Sequence, residues 1–173
     1  MTQDDAMTQT TLTPQPGMRQ GRAGLVAAGL VFFDSALGQL ATAPNLFPWY
    51  ESLHKPAFNP PNVVFGPVWT VLYCLMALAF WRILILPRQP GRKLAIGLFI
   101  GQLLFAVLWS FAFFAGQSPL LGLVVVIPQW LLVVATLVVF WRFDRLAGLC
   151  FVPLSLWVGF AGALNLVIWR LNG

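Results

Sequence analysis

The stretch Pro119–Trp141, PLLGLVVVIPQWLLVVATLVVFW, holds 23 residues and no charged side chain. At about 1.5 Å per residue, a helix of this length spans about 35 Å, enough to cross the hydrocarbon core of a bilayer with some tilt. Four other runs have comparable length and hydropathy: about Gly24–Ala43, Val63–Leu86, Leu94–Ala115 and Ala147–Trp169. A membrane β-barrel would instead show segments of about ten residues with alternating polarity, and none is seen. The chain therefore reads as an all-α integral membrane protein, a bundle of five transmembrane helices. Residues 1–23, rich in Thr, Gln, Pro and Gly, read as a disordered polar tail, and 24–173 as the membrane domain.

Composition agrees. The chain of 173 residues is 59% hydrophobic and 9% charged, whereas soluble domains carry about 25% charged residues. The net charge of +5 reads as topology signals and lipid-headgroup contacts, and no nucleic-acid partner is expected. With five spans, Arg19, Arg22, Arg82, Arg88, Arg92, Lys93, Arg142 and Arg145 fall on the side of the N-terminus, against only Lys55 and Arg170 on the other. By the positive-inside rule the N-terminus is cytoplasmic and the first loop faces outward. The first span resembles a signal peptide in its Ala41-Thr42-Ala43 end, but it exceeds the usual apolar length and Asp34 interrupts it. Cys74 and Cys150 lie in different spans and read as small packing residues, and no metal site is expected.

Polar groups within spans are costly and mark sites to inspect. Asp34, Gly38 and Thr42 share a helix face, spaced i, i+4, i+8. Either Asp34 lines a wet or ligand-holding cavity, or it is neutralised within the bundle. Gln102, Ala106 and Trp109 form one stripe on the third span; Trp157, Ala161 and Asn165 form another on the fifth. Trp49, Trp81, Trp141 and Trp169 lie near span ends, as interfacial anchors do. Trp69, Trp109, Trp130 and Trp157 are deeper, and several of them converging would suit a large planar apolar ligand. Gly97 and Gly101 make a GxxxG that serves either internal packing or a homodimer seam. There is no carboxylate pair, no Ser/His/Asp set and no GxSxG, so no catalytic constellation is assigned.

The first loop is stiff and aromatic: Trp49–Trp69 reads WYESLHKPAFNPPNVVFGPVW. Proline fixes φ and drives the preceding residue extended, so Lys55-Pro56 and Asn59-Pro60-Pro61 are expected to hold an ordered lid, with Trp49, Tyr50 and Phe58 packing down onto the bundle mouth. Trp49-Tyr50, Lys55-Pro56, Pro60-Pro61, Phe65-Gly66-Pro67, Trp69 and Leu72-Tyr73 resemble the signature of the TspO/MBR family, the tryptophan-rich sensory proteins and translocator proteins. Gln102-Leu103, Trp109 and Phe113-Phe114 look like its third helix; Val152-Pro153, Trp157, Phe160-Ala161, Leu164-Asn165 and Trp169-Arg170-Leu171-Asn172 look like its fifth.

The resemblance implies a five-helix membrane protein of a bacterial cell envelope, often a homodimer, that binds porphyrins and isoquinoline- or benzodiazepine-type molecules under its first loop. The ligand-binding candidates are Trp69, Trp109, Trp157, Ala161, Gln102, Ala106, Asn165, Phe58, Tyr73 and Gly38. No obligatory cofactor is implied. If light- and oxygen-dependent porphyrin breakdown occurs, Trp69 and Trp157 are the residues implicated. Transport of porphyrins or other amphiphiles is a further alternative, which Asp34, Gln102 and Gln129 near the midplane and Pro128 in the fourth span would suit. Two departures stand out: the family's asparagine three residues before Trp109 is Ala106, and its tyrosine after the fifth-helix proline is Leu154. Both predict a more apolar pocket. No tyrosine precedes Arg170 in Leu164–Arg170, so sterol binding is not expected.

Overall fold

A computed structural model describes residues 17–173. Five helices follow in order: α1 (Gln20–Asn45), α2 (Asn62–Ile85), α3 (Arg92–Ser110), α4 (Pro119–Phe143) and α5 (Arg145–Asn172). A wider π turn extends α3 over Phe111–Ala115, whereas beyond α1 the segment Leu46–Tyr50 is broken by a kink at Phe47, which is extended (φ −130°, ψ 133°). All five are long and apolar enough to cross a membrane, and no strand occurs among the described residues. Of the tail expected over residues 1–23, residues 1–16 lie outside the described part, while Gln20–Ala23 already belong to α1.

The principal packing partners make a closed ring in the order α1, α2, α5, α4, α3. One end of this ring is solid. Phe80 of α2 stacks on Phe99 of α3 with centroids 4.0 Å apart and planes 5° from parallel. Phe140 of α4 and Phe151 of α5 complete the cluster, 5.2 Å apart and edge to face. All four rings are essentially inaccessible. Ala23, Ala27, Ala79, Ala95 and Ala147, also buried, let the backbones close around them. Fully burying a ring of this size contributes about 1.5–3 kcal/mol.

The same end is tied by charge. Asp144 is the single residue between α4 and α5. Its carboxylate accepts from Ala147 N–H at 2.9 Å, capping α5, and from Arg82 at 3.0, 3.0 and 2.7 Å. The Arg82 guanidinium is the chief reason that the Asp144 carboxyl is held below its usual pKa. Ser118 caps α4 by accepting from Leu121 N–H at 3.2 Å, and Pro119 sits where its missing N–H costs nothing. Both cysteines are free; Cys74 is exposed on the outside of the bundle and Cys150 is buried. Gly97 has nothing within 4 Å of its β position, whereas Gly101 packs on Leu132 of α4 at 3.8 Å. Only Gly97 of the GxxxG pair therefore faces outward.

Candidate functional site

The other end of the ring is hollow. A cavity of about 420 Å³ lies there, within the usual range for small-molecule sites. Three indoles from three helices stand in its wall: Trp69 of α2, Trp109 of α3 and Trp157 of α5. Each is braced by other rings. Trp69 leans on Tyr73 at 5.4 Å, Trp157 meets Phe65 edge-on at 5.8 Å, and Trp109 stacks on Phe113 at 5.3 Å. Spacing explains this: Phe65, Trp69 and Tyr73 follow at i, i+4, i+8 and so share the face that α2 presents to the cavity.

Trp109 is also held by a hydrogen bond. Its indole N–H donates to Asn165 Oδ1 at 3.2 Å, and Asn165 Nδ2 donates to the Pro119 carbonyl at 2.7 Å. Asn165 is fully buried, so α3, α4 and α5 are joined at one amide. The approach of α4 depends on Gly122, where a β-carbon would lie 2.7 Å from both Asn165 Oδ1 and the Phe113 ring. Asn165 thus touches the cavity with its polar atoms already engaged by the protein.

Ala161, Ala106, Tyr73 and Gly38 stand in the wall together with the three tryptophans and Asn165. Two residues of the expected set do not. Gln102 lies deeper, 1% exposed, with Nε2 3.7 Å from Met76 Sδ. Phe58 is 54% exposed and meets Phe160 edge-on at 6.3 Å, outside the cavity. Leu154, expected to make the pocket more apolar, packs in the core instead, so of the two departures only Ala106 alters the wall. Asp34 is buried in α1 with Oδ1 lacking a hydrogen-bond partner, and it does not reach the cavity. Trp130 is on the outside, its N–H donating to the Ser155 carbonyl at 3.0 Å.

Gln129 of α4 belongs to the cavity wall as well. It is buried, it lines the cavity, and its Oε1 has no hydrogen-bond partner. A buried acceptor without a donor costs about 1–3 kcal/mol. Phe65 and Phe113 are further wall residues absent from the expected set; Phe65 precedes Trp69 by four residues and so shares its face of α2.

The first loop closes the top. Tyr50 is buried against the cavity, and its hydroxyl donates to Asn59 Oδ1 at 3.2 Å. Lys55 Nζ lies 4.7 Å over the Tyr50 ring and donates to the carbonyls of Glu51 and Leu53 at 3.0 and 3.2 Å. Trp49 packs edge-on against Phe113 at 5.4 Å. Asn59 Nδ2 donates to the Pro60 carbonyl at 3.0 Å, and Pro61, extended at φ −57° and ψ 143°, starts α2. Pro56, upstream, accepts from Asn59 N–H at 2.9 Å. At the far side, His54 N–H donates to Asn172 Oδ1 and Asn172 Nδ2 returns a bond to the His54 carbonyl, both at 2.9 Å. This paired contact fixes the loop to the end of α5. The exposed members of the cavity wall, Gln39, Leu46, Asn62, Gly66 and Thr70, all belong to α1, its extension or α2, so the opening lies between those two helices.

Comparison with known proteins agrees with this architecture. The profile of the TspO/MBR family matches residues 24–170. The chain is 41% identical over 125 residues to "Protein CrtK" of Rhodobacter capsulatus, covering 72% of this chain and 78% of that one. It is 39% identical over 125 residues to "Tryptophan-rich protein TspO" of Chlorobaculum tepidum, covering 72% and 79%. It is 31% identical over 128 residues to the "Translocator protein" of Homo sapiens, covering 72% and 75%. With five apolar helices, a ring topology and a profile match across nearly all of them, the chain is a multi-pass integral membrane protein and belongs to the TspO/MBR family.

Proposed function

We propose that the chain is a membrane-embedded binding and sensory protein for tetrapyrroles such as protoporphyrin, and for similar planar hydrophobic molecules of the isoquinoline or benzodiazepine type. The observation that carries this is the set of three indoles, from α2, α3 and α5, on one cavity of about 420 Å³. Flat aromatic walls suit a flat aromatic guest, and burying its apolar surface supplies most of the affinity. The loop from Trp49 to Pro61 acts as a lid on the outward side of the membrane, the side with few basic residues, opposite a cytoplasmic N-terminus. A homodimer is included in the reading, with Gly97 as the part of the GxxxG open to a second copy. Titration with protoporphyrin while following tryptophan emission tests the central claim. Saturable quenching is expected, weakened in Trp69→Ala and Trp157→Ala; quenching that never saturates, or that both variants leave unchanged, rules the pocket out.

Transport of the same ligands is the second reading. The opening between α1 and α2 favours it, because an apolar guest would exchange through the bilayer side. Ligand flux into proteoliposomes, above that of protein-free vesicles, distinguishes transport from binding alone.

A further inference from the structure

A second hollow, of about 310 Å³, lies at the opposite end of the bundle, between the start of α1 and the corner joining α2 to α3. Arg19, Arg22, Arg88 and Arg92 line it, together with Gly17 and Met18. Its floor is fixed by hydrogen bonds. Met18 N–H donates to the Leu84 carbonyl at 3.0 Å, and the Trp81 indole donates to the Gln20 carbonyl at 3.2 Å. Gly17 is pressed on the Ile85 and Leu86 carbonyls with no room for a side chain. Arg92 is held in turn: its Nε donates to the Ile83 carbonyl at 3.1 Å and its Nη2 to the Leu84 carbonyl at 2.6 Å.

Two helices begin here. Neither α1 nor α3 has a side-chain cap or an acidic residue in its first turn. Their first N–H groups therefore add partial positive charge to that of four guanidinium groups. The acids among the described residues are engaged or far off: Asp144 is paired with Arg82, Asp34 lies within α1, and Glu51 is in the loop at the other end. Four cations gathered in a hollow repel one another unless an anion joins them. Guanidinium groups and helix starts both favour phosphate oxygens, the former by paired N–H donors. The position, at the ends of membrane-spanning helices, is the level of lipid headgroups.

We propose that this hollow is a phosphate-binding site, filled by the headgroup of an anionic phospholipid or by phosphate free in solution. Arg22 and Arg88 are its testable members, since both side chains are exposed and carry no part of the hydrogen bonding that holds the corner. The full chain is placed in nanodiscs of mixed phosphatidylcholine and phosphatidylglycerol, and retained lipid is counted by native mass spectrometry. Wild type is expected to retain phosphatidylglycerol selectively, and Arg22→Gln with Arg88→Gln to retain it about tenfold less or lower. Arg142→Gln with Arg145→Gln, which removes equal charge from the same end, is expected to retain it as wild type does. In lipid-free detergent, protection against thermal unfolding by inorganic phosphate, lost in the Arg22/Arg88 variant, would identify a soluble source. Circular dichroism confirms that both double variants keep their helices. Equal losses in the two double variants reduce the effect to diffuse charge and overturn the site, as does the absence of both retention and protection.

Discussion

The indole N–H of Trp109 meets Oδ1 of Asn165 across 3.2 Å, and this bond fixes a ring of α3 against the buried face of α5. Because the other half of the same amide holds the Pro119 carbonyl, Asn165→Leu strands two polar partners at once. Each is expected to cost about 1–3 kcal/mol. Thermal unfolding in detergent should drop by several degrees, and porphyrin quenching should weaken because Trp109 is free to tilt. A variant with wild-type unfolding temperature would show that the bond contributes nothing.

Gln129 offers a contrast. Its Oε1 is buried without a donor, so Gln129→Leu should stabilise the empty protein or leave it unchanged. A ligand whose N–H reaches this oxygen once the amide turns toward it would lose about 1–3 kcal/mol in the variant, and a ligand without such a donor would be spared. Paired titrations with a porphyrin and with a donor-free isoquinoline measure this. Equal losses for both ligands would mean that Gln129 acts by shape alone.

The loop is latched through Asn172. Asn172→Ala removes both bonds to His54 and should speed ligand release up to about tenfold, with little change in helix content. Replacing Pro60 and Pro61 by Ala should act in the same direction, by restoring loop freedom. Stopped-flow dissociation of a quenching ligand reads both. Unchanged release rates in both variants would reduce the loop to a connector.

The Arg82–Asp144 pair sets an acid limit. Asp144 has a depressed pKa, so its contribution to stability is complete above its ordinary value of 3.8 and is lost as pH falls through the lower, folded value. Asp144→Asn keeps a capping oxygen for Ala147 N–H but removes the charge. Unfolding temperature followed from neutral pH into this acid window should fall less steeply in the variant than in wild type. Parallel curves would place the acid sensitivity elsewhere.

The helices were legible because long charge-free runs have few other uses, and Pro119–Trp141 alone settles the class. Their ends were less so. α1 was expected to stop near Ala43 but runs through Pro44 to Asn45, and the chain then kinks at Phe47. Helical spacing told which residues share a face, and Trp69, Trp109 and Trp157 did reach one cavity. It could not tell depth: Gln102, on the stripe of Ala106 and Trp109, lies below the cavity floor. Nor could it identify Gln129 as a wall residue, because its neighbours are contributed by other helices.

The stack of Phe80, Phe99, Phe140 and Phe151 has a bearing on the electrical properties of the membrane. A protein that keeps a void of about 420 Å³ at one end of its ring of helices would conduct ions if that void continued to both membrane faces. Four interlocked rings, without a polar atom among them, present a barrier to water files and therefore to protons. The cavity is a cup with an apolar base, and an aqueous path along the axis of the ring ends there.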